Sequence, residues 1–138
     1  MKNTNIVGSI INQQTKISEK KETIVIADDD PAILEAMKMM LELFNFNVET
    51  VSDGMVVPKL MSVQPRLLFL DIWMSGVDGR EVCKAIKSLD ATKDIPVVMI
   101  SASCSLKDSI KETGADDFLA KPFEMQELLS KVHKYILN

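Results

Sequence analysis

This 138-residue chain has little histidine, little cysteine and no excess of positive charge. One histidine, His133, and two cysteines, Cys83 and Cys104, are too few ligands for a zinc site. A catalytic triad would have to use His133, which stands alone near the C-terminus. Sixteen basic residues face twenty acidic ones, a formal charge of -4. That balance argues against nucleic-acid binding as the main activity, because neutralising phosphates needs a basic surface. No apolar run reaches the ~20 residues of a membrane span. Ile6 to Ile11 is too short and too polar-flanked for a secretory signal. Internal repeats and low-complexity tracts are absent as well.

What remains is a composition typical of one folded domain, 46% hydrophobic and 26% charged. Residues 1–22 read as an N-terminal extension of low structural content, ending in the charged run Glu19-Lys20-Lys21-Glu22, and are expected to be a mobile arm. They carry four lysines against two glutamates. The twelve basic and eighteen acidic residues of 23–138 hold the acid excess, so the acidity belongs to the domain.

From Thr23 the sequence alternates between two periods. Thr23 to Ala27 is a β-branched apolar run, suited to a strand buried on both faces. Asp30-Pro31 reads as an N-cap followed by proline at the first helical position, and Ile33, Met37, Met40, Leu41 and Phe44 recur at helical spacing behind it. Further strands are expected at 47–51, 66–70, 96–101 and 116–119. Helices are expected at 55–63, where Pro58 begins, breaks or kinks the run, and at 80–89, 106–112 and 124–137. Five strands alternating with five helices imply an α/β fold, a doubly wound parallel sheet of flavodoxin-like order 2-1-3-4-5.

In such a sheet, sites lie beyond the carboxyl ends of the strands. The first strand ends in Asp28-Asp29-Asp30, the third in Asp71, the fourth in Ser101-Ala102 and the fifth in Ala120-Lys121-Pro122, while the edge strand offers only Asp53 in a turn. The capping role explains Asp30. Asp28 and Asp29 need a counter-charge, and hard oxygen ligands in small number suit Mg2+. Lys121 precedes a proline at a strand end, a place where a cis bond would set the lysine's direction. Together these residues make sense as a phosphoryl-transfer site: a carboxylate nucleophile, with a cation and a lysine to neutralise the phosphoryl oxygens and a hydroxyl to sense them.

Four blocks in order, Ile24 to Asp30, Leu70 to Gly79, Val98 to Ala102 and Gly114 to Phe123, resemble the receiver domains of two-component response regulators, CheY-like proteins, over Thr23–Asn138. The resemblance implies that Asp71 is the phosphoacceptor, receiving phosphate from a sensor histidine kinase or phosphotransfer protein. It implies Mg2+ bound directly by Asp29, Asp71 and the backbone carbonyl of Trp73, with Asp28 acting largely through water. Lys121 would contact the phosphoryl group. Ser101 and Phe118 would be a switch pair, coupling phosphorylation to the face of helix four, strand five and helix five. Ser75 stands where the family usually has proline, so the loop after Asp71 is expected to be more mobile. Arg66 replaces a common acid, and the short stretch from Ser101 to Gly114 leaves helix four short or displaced.

The expected protein is therefore a cytoplasmic signalling domain, monomeric or weakly dimeric. It promotes only its own phosphorylation and dephosphorylation and acts on an unknown downstream protein. Nothing follows the last helix, so a free-standing receiver or a domain from a larger chain are both open. Two other readings stand beside it. One is an interaction module that is never phosphorylated. The other is a haloacid-dehalogenase-type phosphatase, whose opening motif Asp28-x-Asp30 mimics. Loss of activity on Asp28→Asn but not Asp71→Asn would favour the phosphatase.

Overall fold

The computed structural model describes residues 6–10 and 21–137. Five strands form one sheet: β1 (Thr23–Ala27), β2 (Asn47–Val51), β3 (Leu67–Asp71), β4 (Val97–Ser101) and β5 (Asp117–Ala120). All pair in parallel, in the spatial order β2-β1-β3-β4-β5. The expected doubly wound topology is therefore the observed one. The helices between them are α1 (Pro31–Leu43), α2 (Val57–Leu60), α3 (Gly79–Ser88), α4 (Lys107–Lys111) and α5 (Met125–Ile136).

The central strands are buried on both sides, and alternate residues feed two cores. Ile24, Ile26, Leu67, Phe69, Val98 and Ile100 meet Met37 and Leu41 of α1 and Leu128, Leu129 and Val132 of α5. Val25, Ala27, Leu68, Leu70, Val97 and Met99 meet Val57 of α2, Val82, Cys83 and Ile86 of α3 and Ile110 of α4. The period of two along a strand sorts neighbouring side chains to opposite faces.

Local chemistry accounts for the element boundaries. Asp30 caps α1, its Oδ1 accepting from the Ala32 N–H at 3.0 Å, with Pro31 in the first turn. Asp53 accepts from the Met55 N–H at 2.9 Å and starts the next helical stretch. That stretch is broken as Pro58 foretells: α2 is a single turn between the 3-10 turns Gly54–Val56 and Met61–Val63. The α4 helix has five residues after a 3-10 turn at Cys104–Leu106, which agrees with the short connection there.

The extension departs from expectation where it is described. Residues 6–10 are helical, Ile10 is fully buried in the α1/α5 core, and Ile6 and Val7 pack against that core. The cause is the i, i+1, i+4 spacing of these three side chains, which puts them on one helical face. The rest of the expected mobile arm lies outside the described residues. His133 is half-buried, and its Nε2 lies 3.5 Å from the Ser9 hydroxyl. Arg66, which replaces a common acid of the family, pairs with Glu22 and donates to the Ile136 carbonyl at 3.3 Å.

Candidate functional site: an acid cluster at the carboxyl edge of the sheet

Register sets the site. Ala27 pairs with Leu70, Asp71 with Ile100, and Ser101 with Ala120. The ladder runs one step further on each strand, through Asp28 N–H to Val51 O, Ile72 N–H to Ile100 O and Lys121 N–H to Ser101 O. Asp28 and Asp71 are thereby held at one level along the carboxyl edge, and Lys121 stands two residues beyond it on β5. Backbone hydrogen bonds fix them rather than loops.

Asp28, Asp29 and Asp71 each bring a carboxylate oxygen within 4.8 Å of the others. Asp28 is fully buried, Asp71 nearly so, and Asp29 is exposed. Asp28 Oδ1 accepts from the Asp30 N–H at 2.9 Å. Its Oδ2 has the Lys121 ammonium 2.9 Å away, but out of line for a hydrogen bond, so the oxygen is neutralised without being saturated. Lys121 Nζ stands 3.5 Å from Asp71 Oδ2. Burial first, and then the Asp28 charge, push the Asp71 carboxyl up to about 6 against the pull of Lys121. Burial opposes the charged lysine, and the Asp28 carboxylate outweighs it, holding Lys121 above its usual range. Three carboxylates with one lysine leave negative charge over. A hard divalent cation fits this all-oxygen donor set, and the unsaturated Asp28 Oδ2 is the structural sign of it.

The loop after Asp71 is tightly built. Trp73–Met74 pairs antiparallel with Val77–Asp78, leaving Ser75 and Gly76 as a two-residue hairpin turn. Both have positive φ, 48° and 79°, the pattern of a type I′ turn. Proline, with φ locked near -65°, could not occupy position 75 in this turn. The Ser75 N–H donates to Asp29 Oδ2 at 3.1 Å and its hydroxyl to the Ser52 carbonyl at 3.3 Å. Instead of the expected looseness, the serine pins the loop at two points. Next to it, Gly79 donates to the Ile72 carbonyl, and a Cβ there would collide with the Asp71 carbonyl oxygen.

Ser101 is buried, and its hydroxyl accepts from the Ser103 N–H at 3.0 Å and donates to the Ser103 carbonyl at 3.3 Å. Phe118 pairs with Met99, two residues before Ser101, so both project from the same sheet face. Phe118 is half-buried against the α2/α3/α4 core. The Lys121–Pro122 bond is cis. Trp73 is 58% exposed. Three further features had no distinct sequence signal: the Ser75 N–H at the site, the Arg80 bridge to Ser109 beside it, and the ion cluster on Asp117 at the start of β5.

Fold and edge together define a class, flavodoxin-like domains with a cation-suited acid cluster. The family model described as response regulator receiver domain matches residues 24–133, and this chain belongs to that family. It is 39% identical over 112 residues to the DNA-binding dual master transcriptional regulator RpaA of Synechocystis, covering 79% of this chain and 46% of that protein. To the response regulator MprA of Mycobacterium avium it is 34% identical, covering 79% and 48%. The chain thus matches about half the length of these curated relatives. Among solved structures, TrrA of Thermotoga maritima in complex with Mg2+-BeF is similar at TM-score 0.75 and 29% identity, over 83% of this chain and 99% of that one. Vibrio cholerae CheY4 is similar at 0.77 and 25%, over 85% and 100%. This membership sets aside the phosphatase reading, and Asp30, the residue that mimicked its motif, is engaged as a helix cap.

Proposed function

We propose that Asp71 accepts a phosphoryl group from the phosphohistidine of a sensor kinase or phosphotransfer protein, and that the α4-β5-α5 face reports it to a partner protein. The observation that carries this reading is the convergence of Asp28, Asp29, Asp71 and Lys121 from three strands at the carboxyl edge of the sheet. Mg2+, held by Asp29, Asp71 and the Trp73 carbonyl with Asp28 behind them, would supply charge neutralisation for the phosphoryl oxygens.

The residues of the chain supply the rest. With its pKa near 6, Asp71 is mainly ionised at neutral pH and is available as a nucleophile. A carboxylate oxygen attacks phosphorus, a P–O bond forms as the donor's P–N bond breaks, and the imidazole leaves with its proton. Lys121 is close enough to shift from Asp28 toward the incoming phosphoryl oxygens. The Ser101 hydroxyl then exchanges its Ser103 contacts for a phosphoryl oxygen, and Phe118, on the same face, follows.

Beside Lys121 lies an apolar groove of about 450 Å³, lined by Ile33, Met37 and Met40 of α1 and by Pro122, Phe123 and Met125. The protein turns over no external substrate on this reading and works in the cytoplasm. Among the described residues no helix is long and apolar enough to cross a membrane. RpaA is named as DNA-binding, but this domain's acid excess gives no reason to assign it a nucleic-acid contact of its own.

The test is incubation with a small phosphodonor and Mg2+, read by intact mass. One phosphoryl unit is expected on the wild type and none on Asp71→Asn. An adduct that survives Asp71→Asn, or none on the wild type under any condition, overturns the reading in favour of an unphosphorylated interaction module.

A further inference from the structure

We infer that Ser75 is a positioning residue for Asp29, holding this one exposed carboxylate of the cluster in its cation-binding pose. The inference rests on the proposed metal role of the site and goes beyond it, since nothing in that role requires a group at position 75.

Asp29 differs from its two neighbours in what restrains it. Asp28 is buried and bonded to the Asp30 N–H, and Asp71 is enclosed at the end of a central strand. Asp29 has neither advantage. It follows the end of β1 and faces water, where a carboxylate side chain would sample several rotamers. What selects one is the Ser75 N–H at 3.1 Å from Oδ2. In that pose a carboxylate oxygen of Asp29 is already within 4.8 Å of its counterparts on Asp28 and Asp71. The restrained side chain is thus in place for a shared ion, and its other oxygen stays free of the amide.

This N–H is available for two reasons. Residue 75 is not proline, and the positive φ of the hairpin turn, 48° at Ser75 and 79° at Gly76, presents the amide to Asp29. The Ser75 hydroxyl adds a second anchor, the Ser52 carbonyl at 3.3 Å, which ties the turn to the end of the neighbouring β2 connection. An amide that orients a metal ligand from outside its coordination shell raises affinity by pre-organising it.

Two substitutions separate this role from simple folding. Ser75→Gly keeps the N–H and suits the positive φ. Ser75→Pro removes the N–H and cannot take up that φ. Mg2+ binding is titrated by the fluorescence of Trp73, the chain's only tryptophan, without any phosphodonor. Ser75→Gly is expected to bind Mg2+ about as the wild type does. Ser75→Pro is expected to bind roughly tenfold more weakly, the lower end for loss of an outer partner of a metal ligand. Equal affinity in Ser75→Pro, or an equal loss in Ser75→Gly, overturns the inference while leaving the metal site intact. A wild type that shows no Mg2+ response removes the metal reading itself. Should Ser75→Pro fail to fold, the amide resonance of Ser75 decides. It is expected to shift in Asp29→Ala, and an unmoved signal refutes the contact.

Discussion

One face of the sheet is covered by α1 and α5, helices of 13 and 12 residues. The other is covered by α2, α3 and α4, of 4, 10 and 5 residues. Both faces bury the same kind of strand residue, so the difference lies in the covering layer. Long helices nucleate once and then gain a bond per residue, whereas a single turn carries the nucleation cost with little return. The α1/α5 face also gains residues 6–10, whose Ile10 fills its core. The proposed switch residues Ser101 and Phe118 project toward the other face, beside α4. Elements that change conformation are drawn from the least stable part of a fold, and here the short helices lie on the side of the proposed switch pair.

The largest expected effect tests this contrast. Leu129→Ala on α5 should cost about 3 kcal/mol in urea denaturation and loosen the whole fold, because its site is fully packed. Ile110→Ala on α4 deletes an equally buried side chain. It should cost about 2 kcal/mol globally and act mainly on amide exchange across 104–113. If exchange rises uniformly in both variants, the two faces do not differ and the contrast fails.

Next in size is the ion cluster that joins α5 to β5. Asp117 accepts from the Phe118 N–H, from Lys131 and Lys134, and from the Tyr135 hydroxyl at 2.8 Å. Burial alone would raise its pKa, but the Phe118 N–H, Lys131 and Tyr135 outweigh burial and hold it at about 2. A depressed carboxylate stabilises the fold fully above its unfolded pKa, and the contribution is lost as the pH falls through the folded value. From 3.8 to about 2 this is on the order of 2 kcal/mol. Asp117→Asn should therefore be less stable than the wild type by about that amount at pH 7, with the gap narrowing as the pH drops from 3.8 toward 2. A constant gap across that range would assign the loss to packing instead.

Most of the fold was legible because its signals are local. The apolar run at Thr23–Ala27 and the Asp30-Pro31 cap mark their elements without tertiary help, and Pro58 marks the broken helix. Asp28, Asp71 and Lys121 were legible for a related reason, since each directly follows or ends a strand and strand ends of a doubly wound sheet converge. Ser75 was misread. Its role comes from a backbone N–H aimed across 46 residues to Asp29, and side-chain identity does not report where an amide points. The packing of Ile10 was hidden in a similar way, because a short apolar run in a polar context gives no sign of which groove receives it.

The smallest effect concerns what limits the freedom of α4. Arg80, at the start of α3, grips Asp78 through Nε and Nη2, with Nη2 at 2.8 Å. Its remaining Nη1 donates to Ser109 on α4 at 2.7 Å. Asp78 belongs to the hairpin that follows Asp71, so one guanidinium ties that loop to the five-residue α4. Arg80→Lys keeps the charge but cannot serve both partners with a planar fork. Loss of this one hydrogen bond is worth about 1 kcal/mol, or roughly fivefold in local opening. Arg80→Lys should speed amide exchange of 107–111 by that factor and leave α1 and α5 unchanged. Unaltered exchange in α4 would mean that Ile110 packing alone holds the helix. Faster exchange in α5 as well would show that the two faces open together.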